Sequence, residues 1–225
     1  SEQAFSVMGI GPQDNIFSID AAELEQRLKK CPAIRRASVK RQISSNPTLL
    51  VDIDARIPVA WIDCPELGIH PGDATYGALA DKEGVIFPCM EQVHMPYIRE
   101  KRMPSVTLRP PSSGKLSYGV SIRELEAPMK LIELLSGTVT EYLPSIVSIT
   151  TPNDWSFCVR FTNDCQATFS HYGLEHQVEK LSRALRHARQ THRKISSINL
   201  IPEHNIPVIF DNSYEDIPLA EPIEE

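Results

Sequence analysis

From Leu49 to Trp61 the chain alternates: Leu49, Val51, Ile53, Ala55, Ile57, Val59 and Trp61 share one parity, while Asp52, Asp54 and Arg56 fall on the other. A period of two is the mark of a strand with one buried face. Thirteen residues at about 3.3 Å each would span roughly 43 Å, about twice an ordinary strand. The economical reading is one extended segment that serves two sheets in turn. Pro58 would sit near the handover, where a missing ladder donor costs least. Leu49 to Ala55 should then bury against the helix that precedes them, and Val59 to Trp61 should pack in a second layer.

That helix is written in SIDAAELEQRLKKCP. Asp20 is a good N-cap, Glu23 stands at N3 as in a capping box, and Ile19 can staple onto Leu24 from outside. Leu24 and Leu28 share a face, Lys29 and Lys30 load the negative end, and Pro32 stops the helix. AIRRASVKRQI follows as a half-exposed strand with Ile34, Ala37, Val39 and Ile43 inward. SSNP is the turn of a hairpin whose return arm is the long alternating segment.

Further along, ALADKEGVIFP reads as a hairpin with its turn at Asp81 to Gly84. Cys89 to Ser117 is proline-rich and weakly patterned, with one short strand candidate at Ser105 to Leu108. PMKLIELLSG predicts a helix starting at Pro128, with Leu131, Ile132, Leu134 and Leu135 buried and Gly137 as its stop. SIVSIT is a strand, and WSFCVRFTNDCQATFS a hairpin with Asn163-Asp164 at its tip. Trp155, Phe157, Val159 and Phe161 alternate on one arm, and Cys165, Ala167 and Phe169 on the other. The longest helix has Leu174, Val178, Leu181 and Leu185 at helical spacing, and the strands SSINLI and IPVIF close the folded part.

The net charge of −6 is unevenly placed. Pro202 to Glu225 hold seven acids and no Lys or Arg, and removing them from the 29 acids leaves 22 against 23 basic residues. A general nucleic-acid surface is therefore not expected, and the acidic, proline-containing tail reads as solvated and mobile. No apolar run could cross a bilayer and no signal peptide is visible. The five cysteines (Cys31, Cys64, Cys89, Cys158, Cys165) form no zinc spacing. Cys64 and Cys89 both follow strands and could meet, with buried free thiols the default reading.

His171, Glu175 and His176 invite a metal reading, but His171 precedes the helix, and His187 and His192, five apart, fall on different faces; surface histidines are the better account. The basic residues between Lys180 and Lys194 could bind phosphates or an acidic partner, or simply complement a helix end and its wet face. Arg35, Arg36, Lys40 and Arg41 are similar: a partner or headgroup surface, or a solvated strand face. Asp52 and Asp54 beside Arg56 read as solvation. No nucleophile triad, acid pair with a pocket signature or phosphate loop is visible. An enzyme is not expected, and no catalytic, cofactor-binding or metal residue is assigned.

NIFSID, CPAIRRASVKR, NPTLLVDIDARIPVAW and ALADKEGVIF together resemble the POTRA domain and following strand of the FtsQ/DivIB cell-division proteins. WSFCVRFTND, the long helix and ISSINLIPEHNIPVIF are similar in order to that family's second domain, so the resemblance covers most of Asn15 to Phe210. Some positions depart from its pattern. Ala55 precedes Arg56 where the family has Glu, Asn199 replaces its Asp, and Ile201-Pro202 replace its Arg-Tyr. The POTRA first strand is not found, and Ser1 to Ile10 read as that domain's first helix.

The resemblance implies an α+β chain: an N-terminally truncated POTRA domain with helices on a small sheet, then a β-rich domain with one long and one shorter helix. The divisions would be residues 1–58, 59–210 and an acidic flexible tail, 211–225. It also implies a non-catalytic scaffold of septum formation, the periplasmic region of a single-pass inner-membrane protein whose anchor is absent from this chain. FtsB/DivIC-like and FtsL-like proteins would be its partners, with further membrane proteins of the divisome reached through the POTRA domain. The binding mode implied is β-augmentation at the carboxyl-terminal edge, with Asn199, Leu200, Ile206, Val208, Ile209 and Phe210 as partner-binding residues. Pro207 would break one bond of that edge if its nitrogen faced the partner. A POTRA protein of outer-membrane assembly or secretion, and an unrelated exported enzyme, are the alternatives.

Overall fold

The computed structural model describes residues 9, 15, 17–43, 47–100, 102–137 and 143–211. The helix expected over Ser1 to Ile10, the turn residues Ser44 to Asn46 and the acidic tail after Asp211 lie outside them, apart from Gly9. The described residues form four α-helices, a two-stranded sheet and a nine-stranded mixed sheet, an α+β architecture.

Helix α1, Ala21–Lys29, starts where the side chain of Asp20 accepts the N–H groups of Ala22 and Glu23 at 2.8 and 3.2 Å. Glu23 does not complete a capping box; its carboxylate holds Arg27 at 2.6 Å, one turn on. Strands β1, Ile34–Gln42, and β2, Thr48–Ala55, pair antiparallel. A bulge between Ile34 and Arg36 resets the pleat, so Ile34 and Ala37, an odd number apart, both join the apolar cluster under α1. Leu24, Leu28, Ala37 and Val39 are its buried centre, with Ile19, Leu49, Val51 and Ile53 packed around them. Ile43, expected inward, is 79% exposed, because β1 ends at Gln42 and the pleat no longer directs it.

The long alternating segment divides at residues 56–59. Arg56 still donates its N–H to the Ala33 carbonyl at 2.9 Å, whereas Val59 donates to Ala80 at 2.9 Å in the larger sheet. Pro58, with no N–H to place, is buried between them. The Arg56 guanidinium ties the joint: Nε donates to the Pro32 carbonyl at 3.1 Å, and Nη1 meets Asp81 Oδ2 at 2.6 Å and Glu83 at 3.7 Å. Asp81 is itself held, since its Oδ1 accepts the N–H groups of Glu83 and Val85 across the turn at 3.0 and 2.9 Å. Arg35 adds a pair to Glu83 at 2.6 Å. A third apolar cluster spans the same joint: Ala33 and Cys31 from the small-sheet side pack with Trp61, Leu79, Phe87 and Cys89.

The larger sheet contains β3, Ala60–Asp63; β4, Ala78–Ala80; β5, Ile86–Pro88; β6, Ser105–Thr107; β7, Ile146–Thr150; β8, Ser156–Phe161; β9, Gln166–Ser170; β10, Ile195–Asn199; and β11, Val208–Phe210, in the spatial order β11-β10-β9-β8-β7-β6-β3-β4-β5. One face is covered by α3, Arg123–Gly137, and α4, Leu174–Gln190, which pack Leu125, Met129, Leu131, Leu174, Val178 and Leu181 against Ile62, Val106, Ile149, Phe157, Val159 and Phe169. Gly77 is dictated by close approach, since a Cβ there would sit 2.8 Å from the Trp61 ring and 2.1 Å from the Asp73 carbonyl.

Three local expectations are corrected. The stretch read as unpatterned contains α2, Glu91–Glu100; Pro96 inside it masks the helical signal. Helix α3 begins five residues before Pro128, at Arg123, because Leu125 belongs to the same buried stripe as Met129 and Ile132. The N–H that Pro128 lacks would have served the exposed first turn, where water suffices. Trp155, expected on the inner face, is 60% exposed, since β8 starts only at Ser156. None of the five cysteines forms a disulfide, Cys64 and Cys89 included.

Two outcomes are expected. Arg56→Ala strands the Asp81 carboxylate, whose side chain is 6% exposed, and should lower stability in denaturant unfolding by about 3 kcal/mol; Arg56→Lys should recover only part, lacking the second donor for Pro32. The second concerns His94 in α2, a fully buried side chain whose Nδ1 accepts the Met90 N–H at 2.9 Å and whose ring lies 5.2 Å from that of Phe87. Burial lowers its pKa from 6.5 to about 4. The fold therefore holds the neutral ring, with full benefit above pH 6.5 and a progressive loss as pH falls toward 4, about 3 kcal/mol in all. Unfolding curves between pH 7 and 4 should show that slope in the wild type and a shallower one in His94→Phe.

Candidate functional site

The nine-stranded sheet ends in β5 on one side and β11 on the other. The β5 edge is covered: the Ile86 N–H donates to the Val120 carbonyl at 3.4 Å, the Gly119 N–H to the Ile86 carbonyl at 2.7 Å, and Val85 bridges Ser121. Among the described residues no segment lies against β11. Its outer row of backbone groups is the open one.

The bonding of β11 to β10 decides what that row presents. The Asn199 N–H donates to the Pro207 carbonyl at 3.0 Å and the Asp211 N–H to the Lys194 carbonyl at 2.8 Å. In an extended chain the N–H and C=O of one residue point the same way and the direction alternates. Positions 207, 209 and 211 therefore turn toward β10, and Val208 and Phe210 turn outward. The irregularity in this pair lies between Ile195 and Ser197 on β10, so the alternation along β11 is unbroken. The nitrogen of Pro207 consequently faces its own sheet, and the donor it lacks is missing on the inner side. The outer row keeps its N–H groups.

Side chains divide the other way. Val208 and Phe210 are half-buried on the main core, and Ile206 packs there too. Ile209 is 63% exposed on the opposite face. The Arg193 guanidinium lies 3.6 Å over the Phe210 ring, a stacking that holds the aromatic flat under the strand. Asn199 ends β10, and its Oδ1 accepts the Ile201 N–H at 3.1 Å, turning the chain away from the sheet. Leu200 has no exposed surface and gives its N–H to the Thr168 carbonyl at 2.9 Å; its side chain is core and cannot touch a partner directly.

The loop that returns the chain to β11 is anchored by a residue the sequence reading placed elsewhere. Lys180 on α4 is 6% exposed, not on a wet face, and its Nζ donates to the Pro202 carbonyl at 2.8 Å. Its position beside Leu181, on the flank of the Leu174, Val178 and Leu181 stripe, was the available signal. The other basic positions behave differently: Arg183 sits 3.6 Å from Glu179, and Arg193 belongs to Phe210. Arg36 lies 3.9 Å from Asp54 on the exposed face of the small sheet, so Asp54 is a partner of a surface cation.

The groups with acid-base or nucleophilic chemistry do not converge. His171 stands edge-on to Phe157 at 5.4 Å, and His176 faces Glu179 at 3.8 Å. Burial pushes the Cys165 thiol up to about 11, which leaves it protonated at neutral pH. Among the described residues no three His, Cys, Asp or Glu side chains gather as a metal site.

Comparison with curated proteins finds no match. A family model does match, over residues 1–54, and its description is POTRA domain, FtsQ-type. Domains of this type are extracytoplasmic parts of inner-membrane proteins and belong to a non-catalytic scaffold family. No helix among the described residues is long and apolar enough to cross a membrane. The segment with the Asp20-capped helix and the β1/β2 hairpin is thus an FtsQ-type POTRA domain, and the chain that carries it is consistent with an FtsQ/DivIB-type protein of cell division.

Proposed function

We propose that this chain is a non-catalytic scaffold of the bacterial division complex and that it captures an FtsB/DivIC-like partner by adding a strand of that partner to β11. Residues 1–58 form the POTRA-like part, 59–210 the β-rich part that carries the edge, and 211–225 an acidic tail. An FtsL-like protein is held together with the first partner, and further membrane proteins of the complex are met by the POTRA domain. The scaffold works on the extracytoplasmic side of the inner membrane.

The observation that carries the reading is the pairing of Asn199 with Pro207. It leaves Val208 and Phe210 as an unbroken outward row, with two donors and two acceptors for a partner strand. Ile209 supplies exposed apolar surface on one side of that strand. Arg193 over Phe210 and Lys180 on Pro202 hold the edge in place before a partner arrives, which reduces the ordering cost of binding.

The test is capture of the extracytoplasmic segment of an FtsB-like protein by the 225-residue chain. Val208→Pro deletes an outward donor and should reduce capture at least tenfold, with the melting transition retained as the check on folding. Pro207→Ala alters only the inner side and should leave capture unchanged. Loss of capture with Pro207→Ala but not with Val208→Pro would reverse the assigned register and sink the proposal.

A further inference from the structure

The two-stranded sheet of the POTRA domain has an edge of its own along β1, and a side chain occupies it. The Val39 N–H, which pairs with nothing on β2, donates to Glu25 Oε2 at 3.1 Å. Val39 stands directly opposite Val51 in the hairpin. Its N–H goes to α1 instead, so Ala37, Val39 and Arg41 are the residues whose backbone groups point out of this edge. Glu25 lies on the helix beside Leu24, the residue that packs α1 onto the sheet, so its carboxylate hangs over the sheet margin. Lys29 holds the other oxygen, Oε1, at 2.5 Å. The same two contacts keep the carboxyl below its ordinary pKa, so it remains an anion and a full acceptor at neutral pH. A second side chain bridges the same gap: the Arg41 guanidinium donates to the Ile19 carbonyl ahead of α1.

We infer that Glu25 is a guard on the β1 edge, a charged plug that denies Val39 to any incoming strand and so prevents two copies of this chain from pairing β1 to β1. The physics is that of edge protection. A strand docking on β1 needs the Val39 N–H as a donor, and to obtain it must displace an ionised acceptor that Lys29 holds in place over the edge. The β11 edge has no comparable side chain over Val208 or Phe210 among the described residues. The molecule therefore treats its edges differently, with one blocked by an ion and one left open.

The inference does not depend on the identity of any partner at β11, and its test reads a different part of the molecule. In the wild-type 225-residue chain, hydrogen exchange should protect the Val39 amide at least tenfold more than the Arg41 amide of the same edge; equal rates would overturn the assignment without any variant. Glu25→Ala should erase that difference and give concentration-dependent dimerisation in sedimentation. Glu25→Gln, which keeps an acceptor oxygen, should stay monomeric and retain most of the protection. A folded Glu25→Ala chain that remains monomeric at concentrations of about a hundred micromolar, with Val39 still protected, would refute the guard.

Discussion

The Arg56–Asp81 pair is the constraint from which the arrangement of the two sheets follows. A guanidinium with three acceptors around it and a carboxylate with two turn amides behind it can be withdrawn from water only in one relative placement of the chain segments that bear them. Those segments are the end of the POTRA hairpin, Pro32 ahead of β1, and the β4–β5 turn. The ion pair sets the orientation, and the cluster of Ala33, Trp61, Leu79, Phe87 and Cys89 supplies the apolar area that makes the contact favourable. A division of this kind, with direction from charge and affinity from burial, lets a short connection of residues 56–59 join two sheets without a flexible linker.

Beyond the joint, the larger sheet is asymmetric. Helices α3 and α4 cover one face, whereas on the other the apolar packing involves β3, β4 and β5 and the joint cluster. From β8 to β11 that second face carries Arg160 and Ile209 to solvent, as sheets with one wet face allow. The open edge therefore adjoins an open face, and a strand added to β11 would extend both.

Much of this is legible in the amino-acid sequence. The Asp20 cap, the hairpin, the division of the long segment at Pro58 and, apart from Trp155, the inward set of the β8/β9 hairpin all follow from local pattern, because each is decided by neighbours in sequence. The misses share a different cause. Helix α2 and the early start of α3 were hidden by Pro96 and Pro128, whose local penalty is overridden by burial of His94 and Leu125. Trp155 and Ile43 carry an apolar side chain just past the ends of strands, where alternation still reads inward but the pleat has stopped. At the candidate site, the strand and its membership of the final hairpin were visible. The burial of Lys180 and Leu200 and the seat of Arg193 on Phe210 were not, since they depend on how α4 lies across the sheet.

Pro207 acts as a register lock. A slip of β11 by one residue against β10 would turn the proline nitrogen outward and break the open row, while sending Ile209 toward the core and Val208 and Phe210 into water. Only the observed register both hides the missing donor and buries the right side chains, so an otherwise short, three-residue strand is confined to one alignment. Any strand laid along the outer side would therefore meet the same pattern every time, a constancy that an imino acid enforces from the inner side.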